Sequence, residues 1–366
     1  MEERDIKPTC SGCCGPNPDG DSSKNREEYG EKFHRWVIGK VLSAVGDVPL
    51  VSTGLNFKDI LGSGKVRLGI RRMNYKIKPG LYGVGNPTSR SPVLVTANYK
   101  LSFDMLRKEL SGLDTWILVL DTKGVNVWCS AGKGTFGTEE VVKRIQAVSL
   151  FQIVSHRNLI LPQLAAPGIA AHEVKKQSGF KVIYGPIRAS DIKEFLKAGM
   201  KANLEMRTVK FGFLDRMVLT PIEVVGIFKY VFLIAGVLLL LGSLGLRIAS
   251  IKGSLPYIGA IFVGCILVPA FLPWIPVRAF ALKGWILGVL FALAVNIHYD
   301  LLFPPSASWK AALSYFLVLP ALSSYLAMNF TGSSTYTSLS GVVREIKVAL
   351  PLIIVSGVLG LVLGWL

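Results

Sequence analysis

The 366-residue chain has room for two domains, and its 51% hydrophobic content is high for a soluble protein of that length. A net charge of +17 suits an anionic membrane surface or anionic ligand as readily as nucleic acid; without a nucleic-acid motif or basic-aromatic interleaving, nucleic acid is set aside. Five cysteines give no even framework for a secreted disulfide scaffold, and Met1-Glu2-Glu3-Arg4-Asp5 leads into polar residues rather than a signal peptide's apolar core.

Residues 1 to 32 are polar and rich in Gly, Pro, Ser and charge, which predicts a disordered tail. Cys10, Cys13 and Cys14 place three thiols close together there. Thiolates are soft ligands, so Hg(II), Cu(I) or Zn(II) could be held; without a His or fourth Cys, an exposed reducible tail is the alternative. Phe33 to Val51 has apolar residues at mixed helical spacing, and short strands and turns are expected from Val66 to Gly85. Residues 33–90 read as an N-terminal extension of the soluble domain.

From Ser91 the rhythm becomes strand then helix through residue 206. Strands are expected at Val93–Thr96, Trp116–Leu120, Leu159–Leu161 and Phe180–Tyr184, with helices around Phe103–Arg107, Glu139–Ile145, Ala170–Val174 and Ile192–Leu196. This alternation predicts an α/β, Rossmann-like domain with a mostly parallel sheet, whose ligands gather at the carboxyl ends of the strands. That edge would hold Thr96-Ala97-Asn98, Asn126 to Cys129, Pro162-Gln163 and Gly185-Pro186. Ordinary turn chemistry is the alternative at every non-cysteine position.

The chemistry concentrates in Gly124 to Thr138, where Cys129 falls between a strand and the next helix, with Thr138 as its candidate cap. Unsatisfied backbone N–H groups and Lys133 would favour thiolate over thiol. Glycines at 132, 134 and 137 let backbone approach a large flat or anionic ligand. The other reading is a buried cysteine acting as a small hydrophobe. A phosphate loop is excluded because Val127 stands where its first glycine is needed. The G-x-G-x-x-G spacing lacks the acidic residue a dinucleotide site expects near residues 154–160. His156 and His172 read as surface or hydrogen-bonding residues, and Asp191 as a helix start.

After Pro221 the chain holds only eight Lys or Arg and three acidic residues. Beyond a linker at 207–222, five apolar runs near 224–246, 255–275, 279–297, 309–328 and 348–366 predict an all-α transmembrane domain over 223–366. Lys283 would snorkel to the interface and Cys265 would be packing. Polar groups such as Lys229, His298 and Asp300 lie near run ends, as interfacial anchors do. With Arg207, Lys210 and Arg216 before the first run, the positive-inside rule predicts a multi-pass inner-membrane protein, its soluble domain cytoplasmic and its C-terminus opposite.

Asn126-Val127-Trp128-Cys129-Ser130-Ala131-Gly132-Lys133 closely resembles the cap-helix motif of the HgcA family, the corrinoid proteins of microbial mercury methylation. The resemblance continues through His156–Leu164 and Gly179–Pro186, and covers roughly residues 90 to 366, membrane region included. Ser130 departs from the family's usual Ala by one hydroxyl. The resemblance implies a corrinoid-dependent methyltransferase that passes methyl from methyl-Co(III) corrinoid to inorganic Hg(II), with Cys129 thiolate as lower axial cobalt ligand. Thr96, Asn126, Val127, Trp128, Ala131, Gly132, Lys133, Gly134, Thr135, Phe136 and Gly137 would contact the cofactor. A donating thiolate opposite the methyl favours its transfer as a carbanion equivalent. Cobalt is then left as Co(III) and needs two electrons, for which the resemblance implies HgcB, a ferredoxin-like partner with two [4Fe-4S] clusters. It also implies a methyltetrahydrofolate-linked methyl source. The large subunit of the corrinoid iron–sulfur protein of acetyl-CoA synthesis is a relative without the membrane anchor. Two rivals remain, a corrinoid methyl carrier serving a protein partner and a membrane transporter with a regulatory domain.

Overall fold

The computed structural model describes residues 35–243, 251–303, 308–334 and 339–365; the tail with Cys10, Cys13 and Cys14 lies outside them. The described residues from Arg35 to Lys210 form one compact unit apart from Arg67–Gly69, which group with residues from Phe211 onward in a second.

The first unit opens with a hairpin, β1 (Val37–Ser43) and β2 (Gly46–Val51), where mixed helical spacing was expected. Branched Val and Ile, Gly39 and Pro49 all disfavour helix, and Gly46 takes φ 111° at the turn. Next comes α1 (Phe57–Arg67), which reaches only two residues into the strands and turns expected from Val66 to Gly85. Gly62 and Gly64 weaken its helical signature, but its start is fixed by a reciprocal cap. Asp59 N–H donates to Asn56 Oδ1 at 2.9 Å, and Asn56 N–H to Asp59 Oδ2 at 3.2 Å.

The remaining order is β3 (Gly80–Val84), β4 (Val93–Ala97), α2 (Lys100–Glu109), β5 (Thr115–Leu120), α3 (Val127–Gly132), α4 (Thr138–Ala147), α5 (Leu150–Ile153), β6 (Asn158–Leu161), α6 (Ala171–Ser178), β7 (Lys181–Tyr184) and α7 (Ile192–Lys197). Seven strands make one sheet in the order β1-β2-β3-β5-β4-β6-β7. It is mixed: β5-β4-β6-β7 run parallel, β3 is antiparallel to β5, and the hairpin is antiparallel. Central β4 and β5 are buried at every residue, as helix-covered parallel strands must be. Val93, Val95, Leu118 and Leu120 face a core shared with Val141, Ile145 and Val174. Leu94, Ile117, Val119 and Ile160 face the opposite core, with Phe103, Leu106, Ile192 and Phe195. Because the chain steps from β4 to β5 and then across to β6, the strand order reverses at β4. The carboxyl ends there open a crevice, the usual ligand position in such sheets.

Arg107 ties the early segment to α2 and is fully buried. Its guanidinium pairs with Asp59 at 2.7 Å and Asp104 at 2.8 Å, and donates to the carbonyls of Ser52 and Gly54. Lys100 Nζ lies 2.7 Å from Asp59 and 2.6 Å from Asp104, completing the cluster. Burial alone would raise the Asp59 carboxyl, but the Lys100 hydrogen bond and charge, the Asn56 N–H and Arg107 hold it below the usual carboxylate range.

The second unit is helical: α8 (Phe213–Met217), α9 (Thr220–Ser243), α10 (Ile251–Phe262) continuing through a π-helical turn at Val263–Leu267 into α11 (Val268–Phe271), α12 (Phe280–His298), α13 (Trp309–Asn329) and α14 (Leu339–Trp365). Among the described residues four helical stretches are long and apolar enough to cross a membrane: Ser254–Phe271, Phe280–His298, Trp309–Gly332 and Ser340–Gly364. The first of the five expected runs forms α9, and its last residues lie outside the described ones. The last run starts earlier than expected, taking Arg344, Glu345 and Lys347 into α14. Serine hydroxyls join the helices: Ser323 donates to Gly284 O at 2.8 Å, Ser324 to Ala281 O at 2.7 Å and Ser314 to Gly360 O at 2.7 Å. Lys283 does not snorkel outward. It is buried and donates at 2.7 Å to the carbonyls of Leu272 and Ile275, where the chain turns around Pro273 and Pro276.

Candidate functional site

The loop from β5 to α3 is built around Asn98, fully buried just past the carboxyl end of β4. Its Oδ1 accepts from Thr122 N–H at 3.1 Å, the Thr122 hydroxyl at 2.9 Å and Gly124 N–H at 2.9 Å, while its Nδ2 donates to Asp121 Oδ1 at 3.1 Å. Lys123 and Gly124 then take φ 58° and 75°, and a side chain on Gly124 would also run into the Met73 carbonyl, 2.8 Å from its Cβ position. Asp121 is half-buried, which would raise its carboxyl, yet two hydrogen bonds and the charge of Lys123, with Arg144 beyond, hold it low. Its own N–H donates to Glu140 Oε1, which also takes Arg144. The first turn of α4 is thereby bound to the same loop.

Cys129 sits inside α3 rather than at a direct strand-to-helix handover. Asn126 caps this helix, its Oδ1 accepting the Cys129 N–H at 2.9 Å. One of the backbone donors expected to act on the thiol is therefore taken by Asn126. The thiol residue is half-buried, Lys133 is exposed at the helix end, and Trp128 is 42% exposed. Ser130 is fully buried and satisfies its hydroxyl within the helix, at 2.6 Å from Asn126 O and 3.0 Å from Val127 O, so the extra oxygen disturbs nothing.

The three glycines separate by role. Cβ atoms on Gly132 or Gly134 would meet nothing within 4 Å, although Gly134 needs φ 79°. Gly137 is packed, since a Cβ there would lie 2.6 Å from Gly134 O. It is also the cap of α4, the place expected of Thr138. The Thr138 hydroxyl instead accepts Ala170 N–H at 2.9 Å. Phe136 and Ala131 point into the core, Thr96 is buried within β4, Val127 packs half-buried against the core, and Thr135 is half-buried beside Ser130. Gly132, Lys133 and Gly134 thus form an exposed run one turn beyond the half-buried Cys129. Gln163 to Gly168, after β6, closes on this helix: a Cβ on Gly168 would come within 3.0 Å of Ala131 Cα. Loops following β4, β5 and β6 therefore converge at the reversal of strand order.

The sequence placed Asn98 on the ligand-bearing edge without a role of its own and did not single out Gly168. An Asn just past a central strand and a Gly in a Pro-containing loop were the available signals. His156 is structural, with Nε2 2.9 Å from Ser91 O and Nδ1 accepting Asn158 N–H at 3.2 Å. Asp191 precedes α7 but makes no side-chain cap, and His172 is exposed beside Glu173. Among the described residues no group of three His, Cys, Asp or Glu is placed to hold a metal ion. Any metal at Cys129 must arrive with further ligands of its own.

The family model described as CO dehydrogenase/acetyl-CoA synthase delta subunit, CdhD, matches residues 70–196. The acetyl-CoA decarbonylase/synthase complex subunit gamma of Methanopyrus kandleri is 36% identical over 124 residues, 33% of this chain and 26% of that protein. The protein of the same name from Methanocaldococcus jannaschii is 28% identical over 179 residues, 48% of this chain and 36% of its own length. That of Archaeoglobus fulgidus is 32% identical over 128 residues, 34% of this chain and 27% of its own. The chain therefore spans about a quarter to a third of the relatives it matches. The stretch matched by the family model holds β3 to β7 and the Cys129 loop, and there the chain is similar to the CO dehydrogenase/acetyl-CoA synthase delta subunit.

Proposed function

We propose that this chain is a membrane-anchored, corrinoid-dependent methyltransferase whose acceptor is inorganic Hg(II), with Cys129 thiolate as the lower ligand of cobalt. The observation that carries the reading is the half-buried Cys129 on a capped helix over the strand-order reversal, beside backbone at Gly132 and Gly134 from which no side chain projects. A corrinoid fits this donor set. It brings equatorial ligands of its own, so a single protein thiolate suffices, and its broad face needs glycine backbone. A bound corrinoid would supply the methyl-carrying cobalt, and the donating Cys129 thiolate would favour passing that methyl to an electrophile as a carbanion equivalent.

The chain's own residues hold and aim that thiolate. Asn126 fixes the first turn of α3, Asn98 fixes the loop before it, and Gln163–Gly168 press on its inner face. The exposed indole of Trp128 offers an apolar surface next to the thiol. Corrinoid methyl transfer is also the reading that a likeness to acetyl-CoA decarbonylase/synthase subunits favours. That likeness supports a second reading, a methyl carrier serving a protein partner without mercury chemistry. We retain as partners a ferredoxin-like HgcB with two [4Fe-4S] clusters, which would return two electrons after each transfer, and a methyltetrahydrofolate-linked donor. We read the sheet unit as cytoplasmic, a reading that Arg207, Lys210 and Arg216 before α9 support under the positive-inside rule.

The test is the visible absorption spectrum of the full chain reconstituted with cob(III)alamin, beside Cys129→Ala. A spectrum shifted from free cofactor in the wild type and unshifted in the variant is expected, together with methylmercury formed from Hg(II) by the methyl-loaded wild type alone. A shift that survives the substitution refutes the ligand assignment. A lost shift with no methylmercury above free methylcobalamin leaves the carrier.

A further inference from the structure

Helix α1 is turned inside out. Its buried residues are Asp59 and Val66, whereas Phe57, Ile60 and Leu61 are 77%, 58% and 46% exposed. Asp59 is drawn inward by Arg107 and Lys100, and that orientation turns the apolar stripe outward. Ile70 and Met73 extend the exposed apolar surface past the end of the helix. Exposed side chains this large do not normally gather in one short stretch without a partner.

Charge identifies that partner. Between residues 57 and 73 the chain has five Lys or Arg against one acidic residue, and that residue is the internally paired Asp59. Lys58, Lys65 and Arg71 are exposed and Arg72 half-exposed among the apolar side chains. A water-facing surface that pairs Phe, Ile and Leu with uncompensated cations is the composition of an element lying in the headgroup region of an anionic bilayer. A bilayer is at hand, because among the described residues four helical stretches are long and apolar enough to cross one. Residues 1–34 could offer acidic groups but contain only Met1, Ile6, Tyr29 and Phe33 as large apolar side chains, too few to cover this face.

We infer that α1 and the segment to Met73 dock on the surface of the anionic lipid leaflet through Phe57, Ile60 and Leu61, with Lys58, Lys65 and Arg71 on lipid phosphates. This rests on the membrane reading of the second unit and on nothing about corrinoid or mercury. The experiment is amide hydrogen exchange of the full chain in nanodiscs of phosphatidylglycerol against phosphatidylcholine, for the wild type and a Lys58→Glu/Lys65→Glu variant. Stable disc incorporation reports on the spans independently. Exchange across 57–73 about tenfold slower in the anionic discs, with the difference abolished in the variant, is expected. Equal exchange in both lipids overturns the inference. So does protection that follows protein concentration, which would assign the face to a second copy, or protection that appears in neutral discs on adding cob(III)alamin alone.

Discussion

Gly132 is where a single atom separates folding from binding. It ends α3 without a left-handed backbone, and a methyl group placed there meets nothing. Gly132→Ala should therefore leave the melting temperature within about 2 °C of wild type, since exposed substitutions cost within ~0.5 kcal/mol. If the ligand's face rests on this backbone, retained corrinoid per chain should fall severalfold, read from the absorption of the purified protein. Retention equal to wild type would remove Gly132 from the site. Asn126–Lys133 stood out because residue identity alone carries a thiol and a glycine, whereas the capping role of Asn126 was not legible and a cap was expected at Thr138 instead. The inward aim of Ala131 and Phe136 was not legible, because six helical residues are too short a stretch for periodicity to declare a face.

Among elements, α1 and α2 are coupled through Asp59, Asp104, Lys100 and Arg107. The Asp59 carboxyl is lower in the fold than the ~3.9 of an unfolded chain, so its contribution is complete above that value and is lost as pH falls through the folded value. Acid titration followed by tryptophan fluorescence should show unfolding of the sheet unit beginning below about pH 4 in the wild type. Asp59→Asn strands part of the buried Arg107 charge and should destabilise by about 3 kcal/mol near neutrality, with a shallower acid dependence. An unchanged acid profile would show that Asp59 does not govern it. Central strands and their helices were readable in order because β4 and β5 are continuous apolar runs. The hairpin and α1 were not, since what decides them is a pairing between Asp59 and Arg107, 48 residues apart, that no local pattern announces.

At the scale of the whole chain, one half solves its backbone problem with a sheet and the other with helices packed through small residues. A Cβ on Gly284 would lie 2.7 Å from Ser324 Cα and 2.7 Å from Ala327 Cβ. Gly284→Leu should therefore force α12 from α13 and cost about 2 kcal/mol or more, measured as a lower thermal midpoint in detergent. A midpoint equal to wild type would mean that the two helices do not meet there. The apolar runs were plain from composition, but where helices break was less so: Lys283 reaches back to carbonyls at the turn before its helix rather than following its position in the run. The division also has a consequence for biosynthesis. All seven strands, both cores and the loop carrying Cys129 lie ahead of Lys210, before the first apolar helix in the order of synthesis. In the order of synthesis the described sheet unit is therefore complete before the described apolar helices begin. Its strands and the Cys129 loop can then pair while the apolar helices are still being made, so that closing the sheet does not wait on helix packing.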